Sequence, residues 1–222
     1  MTRATLVYLH GFNSSPQTVK GRKLAAAAAA LAEPPYVHIP PLHDRPAIAM
    51  RDVCAWVDAN VAEHAALTFV GSSLGGYYAT WLAETYGAHA VLINPAVRPA
   101  TSLAAHLGPQ RNLHTGEAWD LTPEHFSEIE ALSVARLTRM SRYFLLMRSG
   151  DELLDWREAV ARYAGAWQYV LGGGDHGWEV IDDEIPAVLH FAGFAVTSCP
   201  PRREQGATSP VPRATGERAI ET

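Results

Sequence analysis

Three residue types that together can activate a hydroxyl occur in this 222-residue chain in the order serine, acid, histidine. Ser73 sits in Gly71-Ser72-Ser73-Leu74-Gly75. That is the G-x-S-x-G pattern of a sharp strand-to-helix turn that presents a serine hydroxyl. Glycines belong on either side because backbone and helix approach too closely for a Cβ. The hydroxyl reacts poorly at neutral pH unless a neighbouring base takes its proton. Of the ten histidines, only His176 follows the last apolar run in a glycine-rich loop, Gly172-Gly173-Gly174-Asp175-His176. An acid must then orient that base, and Ser149-Gly150-Asp151-Glu152-Leu153-Leu154-Asp155 offers several. Asp151 is favoured because it lies nearer the preceding strand. Asp155, a turn further on, suits a helix cap. Glu152 and Asp175 are weaker candidates, and Asp175 also reads as a turn former.

Acyl chemistry needs two further donors aimed at a developing oxyanion. In this motif one is the backbone N–H after the nucleophile, Leu74. The other is an N–H in the loop after an early strand, where Phe12 follows His10-Gly11. His10 could serve as a second base, but ordering of that loop is the better reading. The remaining histidines show no metal-ligand spacing. Gly71 to Gly76 lacks the lysine of a phosphate-binding loop and does not fit G-x-G-x-x-G.

These residues need elements to position them. Short apolar runs at 4–9, 36–39, 67–70, 89–93, 143–147 and 167–171 read as strands. Helical patterns fall between them, at about 20–32 (entered at Pro16 with a serine cap), 47–64, 77–86, 155–164 and 186–194. The alternation predicts an α/β fold: an open, doubly wound, mostly parallel sheet of about six strands with helices on both faces. Such sheets gather functional loops at the carboxyl ends of their strands. His10-Gly11-Phe12, Ser73, Asp151 and His176 all fall there. The segment 96–142 carries no strand signal and is expected to form a helical cap, with helices near 101–107 and 123–137. Leu103, Leu107, Trp119, Leu121 and Phe126 are its candidate wall for an apolar acyl chain, or the residues that pack it on the body. Tyr77 and Tyr78 are expected in the core. The expected domain is 1–196. Residues 197–222 are rich in Pro, Arg, Ser, Thr and Glu and read as a disordered tail.

Composition narrows the function classes. Hydrophobic residues make up 48% and charged residues 18%, as in ordinary globular proteins. A formal charge of -5 gives no basic footprint for nucleic acid or anionic membrane. The longest apolar run, 24–32, is too short to span a bilayer. The N-terminus lacks a signal-peptide layout. Two cysteines build no disulfide framework. Cys54, in an apolar helical pattern, is expected to be a small buried side chain, and Cys199 lies in the tail. Cytoplasmic localisation is the expectation.

The motifs also resemble a known family. Tyr8-Leu9-His10-Gly11-Phe12-Asn13-Ser14-Ser15-Pro16, Gly71 to Thr80, Asn94-Pro95-Ala96-Val97, Gly150-Asp151-Glu152 and Gly174-Asp175-His176 follow the order seen in the YqiA-like bacterial esterases. The resemblance covers about residues 4–195. It implies a small α/β-hydrolase acting on acyl esters or thioesters, with Ser73, Asp151 and His176 as a triad. Ala100 and Trp178 depart from the family's usual aromatic residue and phenylalanine. The expected chemistry calls for no metal and no organic cofactor, and its partner is a small-molecule acyl ester or thioester. Two other readings share these residues: an acyltransferase or peptidase on the same triad, or a ligand-binding protein on a hydrolase fold that has lost turnover.

Overall fold

Burial alternates in destination along the first strand, β1 (Thr5–Leu9). Val7 and Leu9 point into one apolar cluster, Leu6 and Tyr8 into another. A strand buried on both faces reads as a continuous apolar run. The same double burial recurs in β3 (Leu67–Ser72), β4 (His89–Ile93) and β7 (Tyr143–Arg148). With β2 (Tyr36–His38) and β8 (Trp167–Leu171) they form a six-stranded sheet in the order β2-β1-β3-β4-β7-β8. Every neighbouring pair in it is parallel. The computed structural model describes residues 4–196; the tail at 197–222, Cys199 and the first three residues lie outside the described residues.

Parallel neighbours require crossovers, and helices supply them on both faces. α1 (Val19–Ala29) and α7 (Ile185–Phe191) cover the Leu6–Tyr8 face. α2 (Pro46–Asn60), α3 (Leu74–Tyr86) and α6 (Trp156–Arg162) cover the other. The chain runs from β1 outward to β2 and then returns to the far side of β1 as β3. That reversal makes the carboxyl ends of β1 and β3 a topological switch point, the place where open α/β sheets bind ligands. Phe12 and Ser73 follow those strand ends.

The segment between β4 and β7 corrects the helical expectation. α4 (Pro99–Leu103) and α5 (Pro123–Ala131) are both shorter than expected. Between them lies an antiparallel hairpin, β5 (Gly108–Arg111) and β6 (Ala118–Leu121). Neither strand contains a β-branched residue, so intrinsic preference does not announce it. Its turn is built by Asn112, whose Oδ1 accepts from His114 N (2.9 Å) and Thr115 N (3.0 Å), and by Gly116 at φ +74°. Two smaller corrections concern helix ends and burial. α1 starts at Val19 rather than Pro16, because Ser15 Oγ accepts from Gln17 N (3.1 Å) in a turn that precedes the helix. Cys54 is half-buried, beside Tyr86 at the edge of the core.

α5 is fastened to the body. Tyr77 Oη donates to Ile129 O (2.8 Å), and Glu128 accepts from Arg45 Nε (3.0 Å) and Ala47 N (3.2 Å) at the start of α2. Of the five proposed wall residues, Leu121 is buried in the core and Leu103 packs against it. Leu107 is exposed, and Trp119 and Phe126 are half-buried. Among the described residues no helix is long and apolar enough to cross a membrane.

Candidate active site

The turn between β3 and α3 leaves no room for side chains. A Cβ on Gly71 would run into the Gly75 carbonyl, and one on Gly75 into the Leu9 carbonyl. A Cβ on Gly76 would sit 2.6 Å from Pro95 Cβ. Ser73 itself has φ +56° and ψ -123°, which a non-glycine residue holds only when its surroundings impose it. Those surroundings are visible. Ser73 N donates to Ile93 O (3.1 Å), and Ser73 O accepts from Gly76 N (2.9 Å) and Ala96 N (3.1 Å). The strained turn aims Oγ at the loop after β8.

There His176 Nε2 lies 3.0 Å from Ser73 Oγ. On the other side of the ring, Nδ1 lies 2.8 Å from Asp151 Oδ2. A carboxylate only accepts, so Nδ1 carries the proton of the neutral imidazole and Nε2 is free to take the one on Ser73. Asp151 has no exposed side-chain surface. A buried carboxylate must be hydrogen-bonded, and its second oxygen accepts from Leu153 N and Leu154 N, both at 2.9 Å.

The other acids have different partners. Asp155 caps α6 through Arg157 N (3.0 Å) and pairs with Arg157 Nη1 (3.3 Å). The helix-end N–H holds its carboxyl below its usual range, with the Arg157 side chain adding to the effect. Asp175 accepts from Trp178 N (2.7 Å), closing a turn. Glu152 accepts from the His176 backbone N–H (2.9 Å) rather than from the ring.

Opposite the histidine, Gly11 packs against the nucleophile: a Cβ there would meet Ser73 Cβ at 3.2 Å. The next N–H is Phe12's. Among the described residues, neither Phe12 N nor Leu74 N is paired with an acceptor. His10 is buried and lies beneath this loop. Its Nδ1 is 3.1 Å from Gly11 O, and Leu42 N donates to its Nε2 at 3.4 Å. That pattern places the ring proton on Nδ1, donating to the carbonyl of the very peptide whose N–H is Phe12's. Burial lowers the pKa of His10.

A fixed body surrounds the loop carrying His176. The Arg148 guanidinium lies 4.4 Å over the Trp178 ring, and Trp178 is buried two residues beyond the histidine. Glu184 lies 3.8 Å from Arg148, and its carboxyl is raised by burial against that opposing charge. Lys20 donates to Gly177 O, and burial lowers its pKa. Lys23 donates to Glu179 O (2.8 Å). Sequence reasoning missed these lysines: within an alanine-rich helix nothing marks a lysine that points at a loop over 150 residues away. Cavities of about 250 Å³ and about 160 Å³ have Val97 and Arg98 in the walls of both, and neither is lined by Ser73 or His176. Among the described residues no cluster of His, Cys, Asp or Glu is placed to hold a metal ion.

The profile of the uncharacterised protein family UPF0227 matches residues 5–193. The chain belongs to this family, the YqiA family. Solved structures give the UPF0227 chain its fold class. Alpha/beta hydrolase domain-containing protein 10 from mouse aligns with a TM-score of 0.64 at 16% identity, covering 86% of this chain and 91% of its own. Est1E from Butyrivibrio proteoclasticus, solved with ferulic acid, aligns at 0.59 and 12% identity, covering 85% and 89%. Carboxylesterase CesB from Bacillus subtilis aligns at 0.53 and 16% identity, covering 85% and 83%. At these identities the likeness is one of fold: the UPF0227 chain is an α/β-hydrolase fold.

Proposed function

We propose that this protein is a serine hydrolase that cleaves carboxylic esters or acyl thioesters through a covalent acyl-enzyme. The observation that carries the reading is the unbroken relay from Ser73 Oγ to His176 Nε2 (3.0 Å) and from Nδ1 to Asp151 (2.8 Å). The esterases among its structural neighbours support it.

In the first half-reaction Ser73 Oγ attacks the acyl carbon while His176 Nε2 takes its proton. Asp151 holds the ring in that tautomer and stabilises the imidazolium. The carbonyl oxygen, now negative, is met by Phe12 N–H and Leu74 N–H. Collapse of the tetrahedral species expels the alcohol or thiol, which leaves with the proton returned by His176. In the second half-reaction water attacks the acyl-serine carbon and gives its proton to His176. The acid departs as Ser73 recovers a proton. Apart from that water, every group this mechanism uses is a side chain or backbone N–H of this chain.

The test is a fluorophosphonate probe together with p-nitrophenyl esters and acyl-CoA thioesters of increasing chain length. Wild type should be labelled and turn over, and Ser73→Ala should lose labelling and about a million-fold in kcat, as nucleophile removal does elsewhere. Absence of labelling on Ser73 under conditions that label a control esterase would overturn the reading.

A further inference from the structure

Asn94, the first residue after β4, has no exposed surface and sits at φ +42°. Its side-chain amide is fully used. Nδ2 donates to the carbonyls of Asp175 (3.2 Å) and His176 (3.1 Å), and Oδ1 accepts from Arg148 N (2.9 Å) at the end of β7. A primary amide offers two donor protons and one carbonyl oxygen, and here the donors meet the loop that bears His176 while the oxygen meets the end of the strand that leads to Asp151. His176 is held by its own carbonyl. Asp151 follows Arg148 in a turn closed by Asp151 N and Arg148 O (3.3 Å). The nucleophile is held by Asn94's neighbours, with Ile93 O accepting from Ser73 N and Ala96 N donating to Ser73 O, both at 3.1 Å.

The acid and base loops are also stitched directly to each other. Gly150 N donates to Gly173 O (3.1 Å), Ser149 N to Leu171 O (2.9 Å), and Gly173 N to Ser149 Oγ (3.1 Å). Gly150 lies so close to Gly174 that a Cβ there would strike the Gly174 carbonyl. These contacts join two loops. Asn94 joins both of them to the strand end that holds the third.

We propose that Asn94 is a positioning residue that sets the separations within the Ser73–His176–Asp151 relay. The proposal rests on the serine-hydrolase reading of that relay. Its amide bonds the acid-bearing strand and the base-bearing loop, and its chain neighbours Ile93 and Ala96 bond the nucleophile turn. A displacement of about 1 Å between reacting groups lowers rates by about 10²-fold. Losing the two donors while keeping the acceptor is therefore an informative change.

The experiment uses the full chain with Asn94→Gly, which tolerates the positive φ and removes the amide, and Asn94→Asp, which keeps the acceptor and removes both donors. The expected result is a fall in kcat of about 10²-fold with KM nearly unchanged. The downfield proton resonance of His176 Nδ1–H bound to Asp151 should weaken or vanish while the circular dichroism remains that of folded protein. A folded variant with wild-type kcat and an intact resonance would overturn the proposal, as would a rise in KM alone. Failure of both variants to fold would also overturn it, making Asn94 a residue of the fold. If wild type itself neither hydrolyses esters nor takes the probe, the serine-hydrolase reading falls. The resonance still decides on Asn94 in that case, because it reports geometry without turnover: its loss in a folded variant supports the proposal, and its retention or its absence from wild type overturns it.

Discussion

The two loops that flank Ser73 are held in opposite ways. The loop carrying His176 is gripped by the α/β body, by Asn94 at the end of the central strand β4, by Gly150 on the neighbouring loop and, at the surface, by Lys20 and Lys23 from α1. Trp178 anchors it in the core at 3% exposure. The loop carrying Phe12 has His10 beneath it, but its outer side is held by the β5–β6 hairpin. Leu113 N donates to Asn13 O (3.0 Å), Asn112 Nδ2 to Ser14 O (2.8 Å), and Trp119 Nε1 to Asn13 Oδ1 (2.9 Å). Asn13 Nδ2 in turn donates to Gln110 Oε1 (3.1 Å), and the Phe12 and Trp119 rings meet edge to face at 5.4 Å. The hairpin itself stands in solvent, with Leu113 at its tip 84% exposed. The proposed proton-transfer geometry is thus a property of the α/β body, whereas the proposed oxyanion geometry is shared with an appended structure. Changes in the hairpin can alter the second without touching the first.

The largest effect should come from the body side. Asp151→Asn is expected to lower kcat by about 10⁴-fold, since an amide in that position favours the wrong histidine tautomer. Asp155→Asn should change kcat by no more than a few-fold, because its oxygens serve Arg157 and the start of α6. Ester hydrolysis by the two variants, side by side, measures this. Equal losses would mean the two carboxylates share the role.

The hairpin side should give a smaller, separable loss. Trp119→Ala and Asn13→Ala each remove a tether from the Phe12 loop without deleting a donor. A deleted oxyanion donor lowers turnover by about 10²–10³-fold, so loosening one should lower it by about ten-fold. The His176–Asp151 proton resonance should survive in both variants. Its loss there would show that the two sides are not independent.

The body was far more legible in the sequence than the hairpin. The four central strands announce themselves because burial on both faces forces apolar runs such as Tyr143-Phe144-Leu145-Leu146-Met147, while the half-exposed β2 and β8 show as shorter or mixed runs of aromatic and β-branched residues. The elbow was legible because its geometry admits only glycine at Gly71 and Gly75. The hairpin was not, since Gly108-Pro109-Gln110-Arg111 has neither alternation nor β-branched residues. Its order comes from Asn13 and Ser14, about a hundred residues earlier. One local signal was present in the turn that Asn112 and Gly116 build. Asn94 was visible only as part of a motif, because its three partners are backbone groups and carry no sequence identity.

Trp178→Phe probes the body side where the chain departs from its family's usual phenylalanine. The smaller ring keeps the apolar anchor but weakens the contact with Arg148, which lies 4.4 Å from the indole. A desolvated contact of this kind contributes about 1–2 kcal/mol, and about 1 kcal/mol moves Tm by about 2–4 °C in a domain of this size. Thermal unfolding should show that drop, with kcat changed less than about three-fold because Asn94 still holds the His176 carbonyl. A loss of activity larger than the loss of stability would place the anchor, rather than Asn94, in control of the base.

The last prediction uses acid to loosen the hairpin-side loop from beneath. His10 accepts from Leu42 N through Nε2, so protonation there abolishes one bond and puts a charge into a buried site. Burial lowers its pKa, the bond to Gly11 O opposes this in part, and the charge of His114 adds to the lowering. Because the folded-state value lies below the ordinary 6.5, the unfolded chain takes the proton first as pH falls. The stability contributed by neutral His10 is therefore complete above that ordinary value and is lost as pH falls through the folded-state one. His38 and His89 are lowered by burial too and act in the same direction. His10→Asn keeps a donor for Gly11 O and cannot titrate. Between about pH 7.5 and about pH 5.5, its Tm should fall less than that of wild type. Equal falls would assign the acid sensitivity to His38 and His89, and would leave the Phe12 loop held by the hairpin alone over that range.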